Sequence, residues 1–326
     1  MDRIRMRTGA LAVLVLLLPL GTASAHCIVG NRFFPATLIV DDPCVNDELS
    51  LPTISTFKNG DDPAARELDI SAEFSKRITE DFGISVGSKW TQLRPPGGPN
   101  VSGFQNLETT FQYQLLKDPT HELALKAGVV VEWGGSGAES VGADRFTTYK
   151  PTFYFGKGFG DLPDSVRWLR PFAVTGTVGY AIPGSLSTTT VDPDSGDVIV
   201  TQNPRVLEWG ATLQYSLPYL KSAVVDLALP DFVNNLIPIV EAQFFTPVSN
   251  TFDSGRKTTG TINPGIIYVG KTYQVGVEAI VPINRDSGGN IGVIGQLHLY
   301  LDDIFPKTIG RPLVDTALLT PRSQRP

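Results

Sequence analysis

The chain has 326 residues, a net charge of −6, only 18% charged residues, 32 glycines and 25 prolines. That acidic balance excludes a nucleic-acid partner, which requires a basic footprint. The low charge content, with aromatic residues scattered through short alternating runs, also sets the chain apart from ordinary soluble proteins.

The first 25 residues have the layout of a cleaved export signal. Arg3, Arg5 and Arg7 precede an apolar stretch at 10–20 that is too short for a membrane span, and Ala23-Ser24-Ala25 is a small-x-small cleavage site. Cleavage there takes three Arg and one Asp from the 27 basic and 33 acidic residues, leaving 24 and 32. His26 would become the new terminus, where amine and imidazole together can chelate copper. Nothing else nearby supports that, so no metal or cofactor is expected. In an oxidising periplasm Cys27 and Cys44 read as one disulfide closing a short loop. Residues 26–46 are therefore expected to be a periplasmic lead-in.

Beyond the signal, no run of 18 apolar residues offers a helical span. The dominant signal is alternation with period two. Leu123, Leu125, Ala127, Val129, Val131 and Trp133 alternate with Ala124, Lys126, Gly128, Val130 and Glu132, sets that a strand separates and a helix mixes. Similar runs occur at 65–78, 82–92, 104–116, 146–157, 170–181, 207–217, 237–247, 259–270, 272–283 and 290–302. Each approaches the ~10 residues that a tilted strand needs to cross a bilayer. One face is rich in Leu, Val, Phe, Trp and Tyr, and the other in Glu, Gln, Thr, Lys and Gly, the division that a lipid-facing wall around a polar lumen requires.

Loop lengths add an orientation. Tight connections at 79–81, 117–120 and 270–271 alternate with longer ones at 93–102, 134–144, 183–204, 247–257 and 284–289. Outer-membrane barrels place short turns in the periplasm and long loops outside. The connections 158–169 and 218–235 are long yet periplasmic by parity, and the second contains a short interfacial helix. With both barrel ends in the periplasm the strand number must be even, which calls for one more strand at 48–58 despite Pro52. The expected fold is all-β: a single antiparallel transmembrane barrel of about twelve strands over 47–303, with a periplasmic tail at 304–326.

Catalytic patterns are sparse. Of three histidines, His121 sits in a tight turn, while His298 lies on the polar face of the last strand. The Gly156-Lys157-Gly158-Phe159-Gly160 run lacks the helix and Lys-Ser/Thr pair of a phosphate loop. Turning each polar face inward places Asp69, Glu73, Glu108, Glu132, Glu208, Glu241 and Glu278 in the lumen, together with Lys89, Lys126 and His298. Such a carboxylate excess favours cations or neutral solutes. A twelve-stranded barrel is intermediate in width, and this decides neither an open pore nor a plugged lumen.

Three stretches carry a resemblance: Arg32-Phe33-Phe34-Pro35-Ala36-Thr37, Gly103-Phe104-Gln105-Asn106-Leu107-Glu108 and Leu299-Tyr300-Leu301-Asp302-Asp303-Ile304-Phe305-Pro306. In these the chain resembles a proteobacterial family of outer-membrane proteins labelled as transporters or as MetA-pathway phenol-degradation proteins. The resemblance implies an outer-membrane channel for small aromatic or hydrophobic compounds and transfers no catalytic residues. The expectation is thus a non-enzymatic channel whose partners are the bilayer and a small solute. The rival readings are an outer-membrane hydrolase using His298 and a closed recognition barrel acting through its 183–204 loop.

Overall fold

The computed structural model describes residues 27–192, 195–252 and 256–314. Twelve antiparallel strands close into one barrel: β1 (Glu48–Lys58), β2 (Arg66–Arg77), β3 (Phe82–Arg94), β4 (Leu107–Asp118, with Val101–Phe104 before it on the same partner), β5 (Leu123–Trp133), β6 (Thr148–Gly158), β7 (Phe172–Pro183), β8 (Arg205–Tyr215), β9 (Leu236–Ser249), β10 (Thr259–Val269), β11 (Tyr273–Pro282) and β12 (Gly292–Tyr300). Each strand pairs with its sequence neighbours, and β12 closes the seam on β1, with Val293 opposite Thr56 and Tyr300 opposite Glu48. This is the architecture that alternation and loop parity lead to.

The strand demanded by closure is present, and its weak pattern has a physical cause. The register of β1 against β2 shifts between Ser50 and Thr53, leaving Leu51 and Pro52 in a bulge. A bulge adds one residue and so moves the inward set from even to odd positions. Glu48 and Ser50 face inward before it, and Thr53, Ser55 and Phe57 after it.

The tight turns and both barrel termini share one end of the barrel. The longer connection from β8 to β9 at that end contains the helical pieces Leu217–Tyr219, Leu220–Val224 and Asp231–Asn234. The opposite end carries the long loops, including a hairpin of Ser187–Val191 on Val198–Gln202.

The distribution of polarity is inverted relative to a soluble barrel. On β11, Val277 is 48% exposed while its neighbour Glu278 is 2% exposed. The pattern repeats around the wall: Phe74, Phe111, Val129, Phe153 and Trp209 point outward and are exposed, whereas Lys126, Gln214, Glu241 and Asn263 are buried inside. An apolar band of this extent cannot face water. The fold and its outer surface define a transmembrane β-barrel.

Residues 27–47 depart from the expected lead-in outside the barrel, because they cross the lumen. Glycines on the inward faces of the strands make room for them. A Cβ added at Gly83 would lie 2.6 Å from Val45, one at Gly156 2.6 Å from Pro43 and 3.1 Å from Phe34, and one at Gly276 2.5 Å from Leu38. Two apolar contacts hold the segment. Cys27, Val29, Phe34 and Cys44 pack on Ala124 and Ala173, and Leu38 packs on Ile237, Ile239, Ile267, Ile280 and Ile294. The expected disulfide joins Cys27 and Cys44, whose Cα atoms are 5.4 Å apart, and it staples the two limbs of this inserted loop. The signal region and His26 lie outside the described residues.

Where the segment meets β1, buried Asp47 binds Lys76 Nζ at 2.5 Å and Arg77 Nε at 2.9 Å. The chain after β12 docks on the same cluster, with Arg311 O accepting from Lys76 Nζ at 2.7 Å and Val314 N donating to Ile78 O at 2.8 Å.

Two outcomes follow from this packing. Gly156→Val forces a branched side chain against Pro43 and Phe34, an overpacking worth about 1–3 kcal/mol, and should lower the thermal unfolding midpoint of the detergent-solubilised protein. Asp302, in the turn Leu301–Ile304, lies 3.9 Å from Arg77. Burial nevertheless pushes its carboxyl up to about 7. Folding therefore favours the neutral acid, and its contribution is full below the unfolded carboxylate value of about 4 and lost as pH rises through about 7. Asp302→Asn should lessen the fall in unfolding midpoint between about pH 5 and about pH 8.

Candidate functional site

The inserted segment occupies one side of the lumen and is tied to it by buried polar groups. Glu241 on β9 accepts from three successive backbone amides, Leu38 N at 2.7 Å, Ile39 N at 3.2 Å and Val40 N at 2.6 Å. Gln274 donates to Ala36 O. Gln114 accepts from Val45 N at 3.0 Å and donates to Pro43 O at 3.1 Å. Lys126 Nζ reaches Asp41 at 2.9 Å and lies 4.3 Å from the centroid of the Tyr154 ring. Near the start of the segment, buried Arg32 pairs with Glu122 at 3.1 Å, donates to Pro171 O at 3.0 Å and to Arg170 O, and stacks on Tyr219. Tyr219 Oη in turn donates to Glu122 at 2.8 Å. Burial lowers the Arg32 guanidinium from its ordinary value, against the opposing pull of Glu122.

Beside the segment lies a cavity of about 820 Å³. It reaches from Thr259, Gly260, Asp286 and Ser287, at the long-loop end, to Glu48, Ser75 and His298, near the tight-turn end. Ala36, Thr37, Leu38, Ile39 and Asp41 of the inserted segment form part of its wall. A smaller space of about 190 Å³, bordered by Asp41, Glu73, Glu108, Lys150 and Glu208, adjoins it.

The sequence-predicted residues divide into two groups. Asp69, Glu73, Lys89, Glu108, Glu132 and His298 line the large cavity, and Glu208 lines the small one. Lys89 pairs with Asp69 at 3.3 Å, and Lys150 with Glu208 at 2.7 Å. Lys126, Glu241 and Glu278 border neither space. They are 2%, 0% and 2% exposed, and the first two are taken up in holding the inserted segment. Sequence reasoning missed Asp41, Glu48 and Lys150. Lys150 was accessible from the alternation of Lys150, Thr152 and Tyr154, while Glu48 was hidden by the bulge in β1. Asp41 was assigned to the lead-in, and the inward glycines were the one sequence signal that something presses against the wall from inside.

The chain matches no family model, and no curated protein matches it in sequence. Among solved structures it is similar to an outer-membrane channel from Pseudomonas putida F1, with a TM-score of 0.48 and 11% identity over 82% of this chain and 99% of that one. It is also similar to the KdgM porin (TM-score 0.45, 11% identity, 77% and 98% covered) and the NanC porin (TM-score 0.44, 10% identity, 76% and 98% covered).

Glu241→Ala leaves the buried amides of Leu38 and Val40 and the half-buried amide of Ile39 without an acceptor, at about 1–3 kcal/mol for each buried one. Cleavage by proteinase K between Cys27 and Cys44, read on reducing mass spectra, should become rapid in this variant. Glu241→Gln, which keeps one acceptor oxygen, should fall between it and the parent.

Proposed function

We propose that the protein is a bacterial outer-membrane channel for small solutes, exported by the signal at 1–25, with its tight turns in the periplasm. The observation that carries this reading is the cavity that runs along the wall from the long-loop end to the level of Glu48 and His298. Its carboxylates, Asp41, Glu48, Asp69, Glu73, Glu108, Glu132 and Asp286, outnumber Lys89 as the cationic partner. A lumen of that sign draws cations and passes neutral solutes in preference to anions. The disulfide suits an oxidising periplasm.

The resemblance to transporters labelled for phenol degradation extends the proposal to small aromatic or hydrophobic compounds. An apolar strip in the same cavity, formed by Leu38, Phe57, Phe245, Ile280 and Ile294, gives such a solute a surface to follow. The inserted segment narrows this path to one side of the lumen.

Purified, folded protein in a planar bilayer should conduct, and under a potassium chloride gradient its reversal potential should report cation preference. Glu73→Gln combined with Glu108→Gln should reduce the cation-to-anion permeability ratio by about twofold or more. Folded protein that gives no conductance contradicts the channel reading.

A further inference from the structure

Three side chains at the foot of the cavity form an arrangement that conduction does not require. Ser50 Oγ shares a hydrogen bond of 2.8 Å with His298 Nδ1, and His298 Nε2 lies 3.2 Å from Glu48 Oε2, an ion-pair distance without hydrogen-bond alignment. Serine and glutamate sit two residues apart on the inward face of β1. The histidine comes from β12, directly opposite Ser50 across the seam that closes the barrel. The imidazole is 1% exposed, and the Tyr300 ring packs edge-on against it at 5.3 Å. All three members of the trio border the cavity.

We propose that this trio is a hydrolase site for small neutral or cationic carboxylic esters, with Ser50 as nucleophile, His298 as base and Glu48 as positioning group. A serine hydroxyl is a weak nucleophile until a neighbouring base takes its proton, and the base works best when a third group orients it and stabilises its charged form. The two ring nitrogens are chemically distinct handles, and here one faces a hydroxyl and the other a carboxylate. A histidine buried only for packing would need polar partners of any kind. These are the two kinds that nucleophilic catalysis uses. Ser50 also stands at the edge of the β1 bulge, where the chain departs from the regular pleat, and bulges commonly re-aim side chains next to active sites.

The chemistry balances with water as the only co-reactant. Ser50 Oγ attacks the ester carbonyl carbon and its proton passes to His298, whose other nitrogen faces the Glu48 carboxylate. Collapse of the tetrahedral intermediate breaks the carbon–oxygen bond to the alkoxy group, which takes the proton from His298 and leaves as the alcohol. A lumen water then attacks the acyl–serine, giving its proton to His298. The second collapse returns that proton to Ser50 and releases the carboxylic acid. Ser71 and Ser75 flank Glu73, the partner of Ser50 on β2, and line the same wall of the cavity. Glu73 and the other cavity carboxylates repel anionic esters, while Phe57 and Ile294 offer an apolar rest for an acyl or aryl group.

The test uses the full chain, folded in detergent, with a fluorophosphonate probe and with p-nitrophenyl butyrate as substrate. Heat-modifiable migration on gels reports that each variant is folded. Phosphonylation located at Ser50 by mass spectrometry, together with ester hydrolysis, is the expected result. Ser50→Ala, which removes a single oxygen, should abolish both. His298→Gln should slow labelling by about 100-fold or more. Glu48→Gln should lower kcat with KM within about twofold, and Glu48→Asp should restore part of it. Folded wild-type protein that is not labelled at Ser50 overturns the proposal, as does labelling that proceeds at the same rate in folded His298→Gln. The first outcome does not depend on any variant folding, and none depends on whether the barrel conducts.

Discussion

The contact on which the rest of the structure depends is the Glu241 carboxylate, which accepts from the amides of Leu38, Ile39 and Val40. Three consecutive amides at the apex of an inserted loop cannot satisfy one another, and each would carry a desolvation cost if left bare. A carboxylate fully enclosed in the lumen faces the same penalty from the opposite side. Bringing them together offsets part of both costs. The arrangement also constrains the surrounding wall. Ile237 and Ile239 precede Glu241 on the same face and pack with Leu38. Gly276 and Gly210 are bare where Leu38 and Val40 come closest.

The strand number leaves room for an inserted segment. Eight strands enclose a space that side chains can fill, and twelve enclose more than they can fill. Here the excess is taken up by backbone drawn in from the N-terminal side, fixed at one limb by Arg32 with Glu122 and at the other by Asp47 with Lys76 and Arg77. Because the segment leans on β9 to β11 through Leu38 and on β5 through Lys126, most of the remaining space falls along β12, β1, β2 and β3. That asymmetry brings Glu48, Ser50 and His298 to the cavity while Glu241 and Glu278 are enclosed.

Much of the barrel was legible in the sequence because a membrane wall imposes two strict rules, period-two alternation and alternating loop lengths. β5 shows this most clearly, with Leu125, Ala127 and Val129 outward and Lys126, Gly128 and Val130 inward. The strand bounds at 48–58 could be placed by closure alone, although Pro52 and its bulge erased the local pattern. The lumen was only half legible. Alternation tells which side chains point inward, as for Glu73 and Glu108. It does not tell whether they meet open space or another part of the chain, which separates Glu132 at the cavity from Glu241 beneath the inserted segment. The segment itself was misplaced because its contacts are long-range pairings, such as Gln274 with Ala36, that leave no periodic trace. The meeting of Ser50 with His298 was hidden for the same reason, since it depends on the seam between the first and last strands.

The central claim is that residues 27–47 form a fixed part of the lumen. The most direct measurement is amide hydrogen exchange of the folded protein in bilayers, followed at Leu38, Ile39 and Val40. Protection at these amides comparable to that of the inward-braced β9 amides is the result the structure requires. Exchange at the rate of an unstructured chain would contradict it and place the segment outside the barrel.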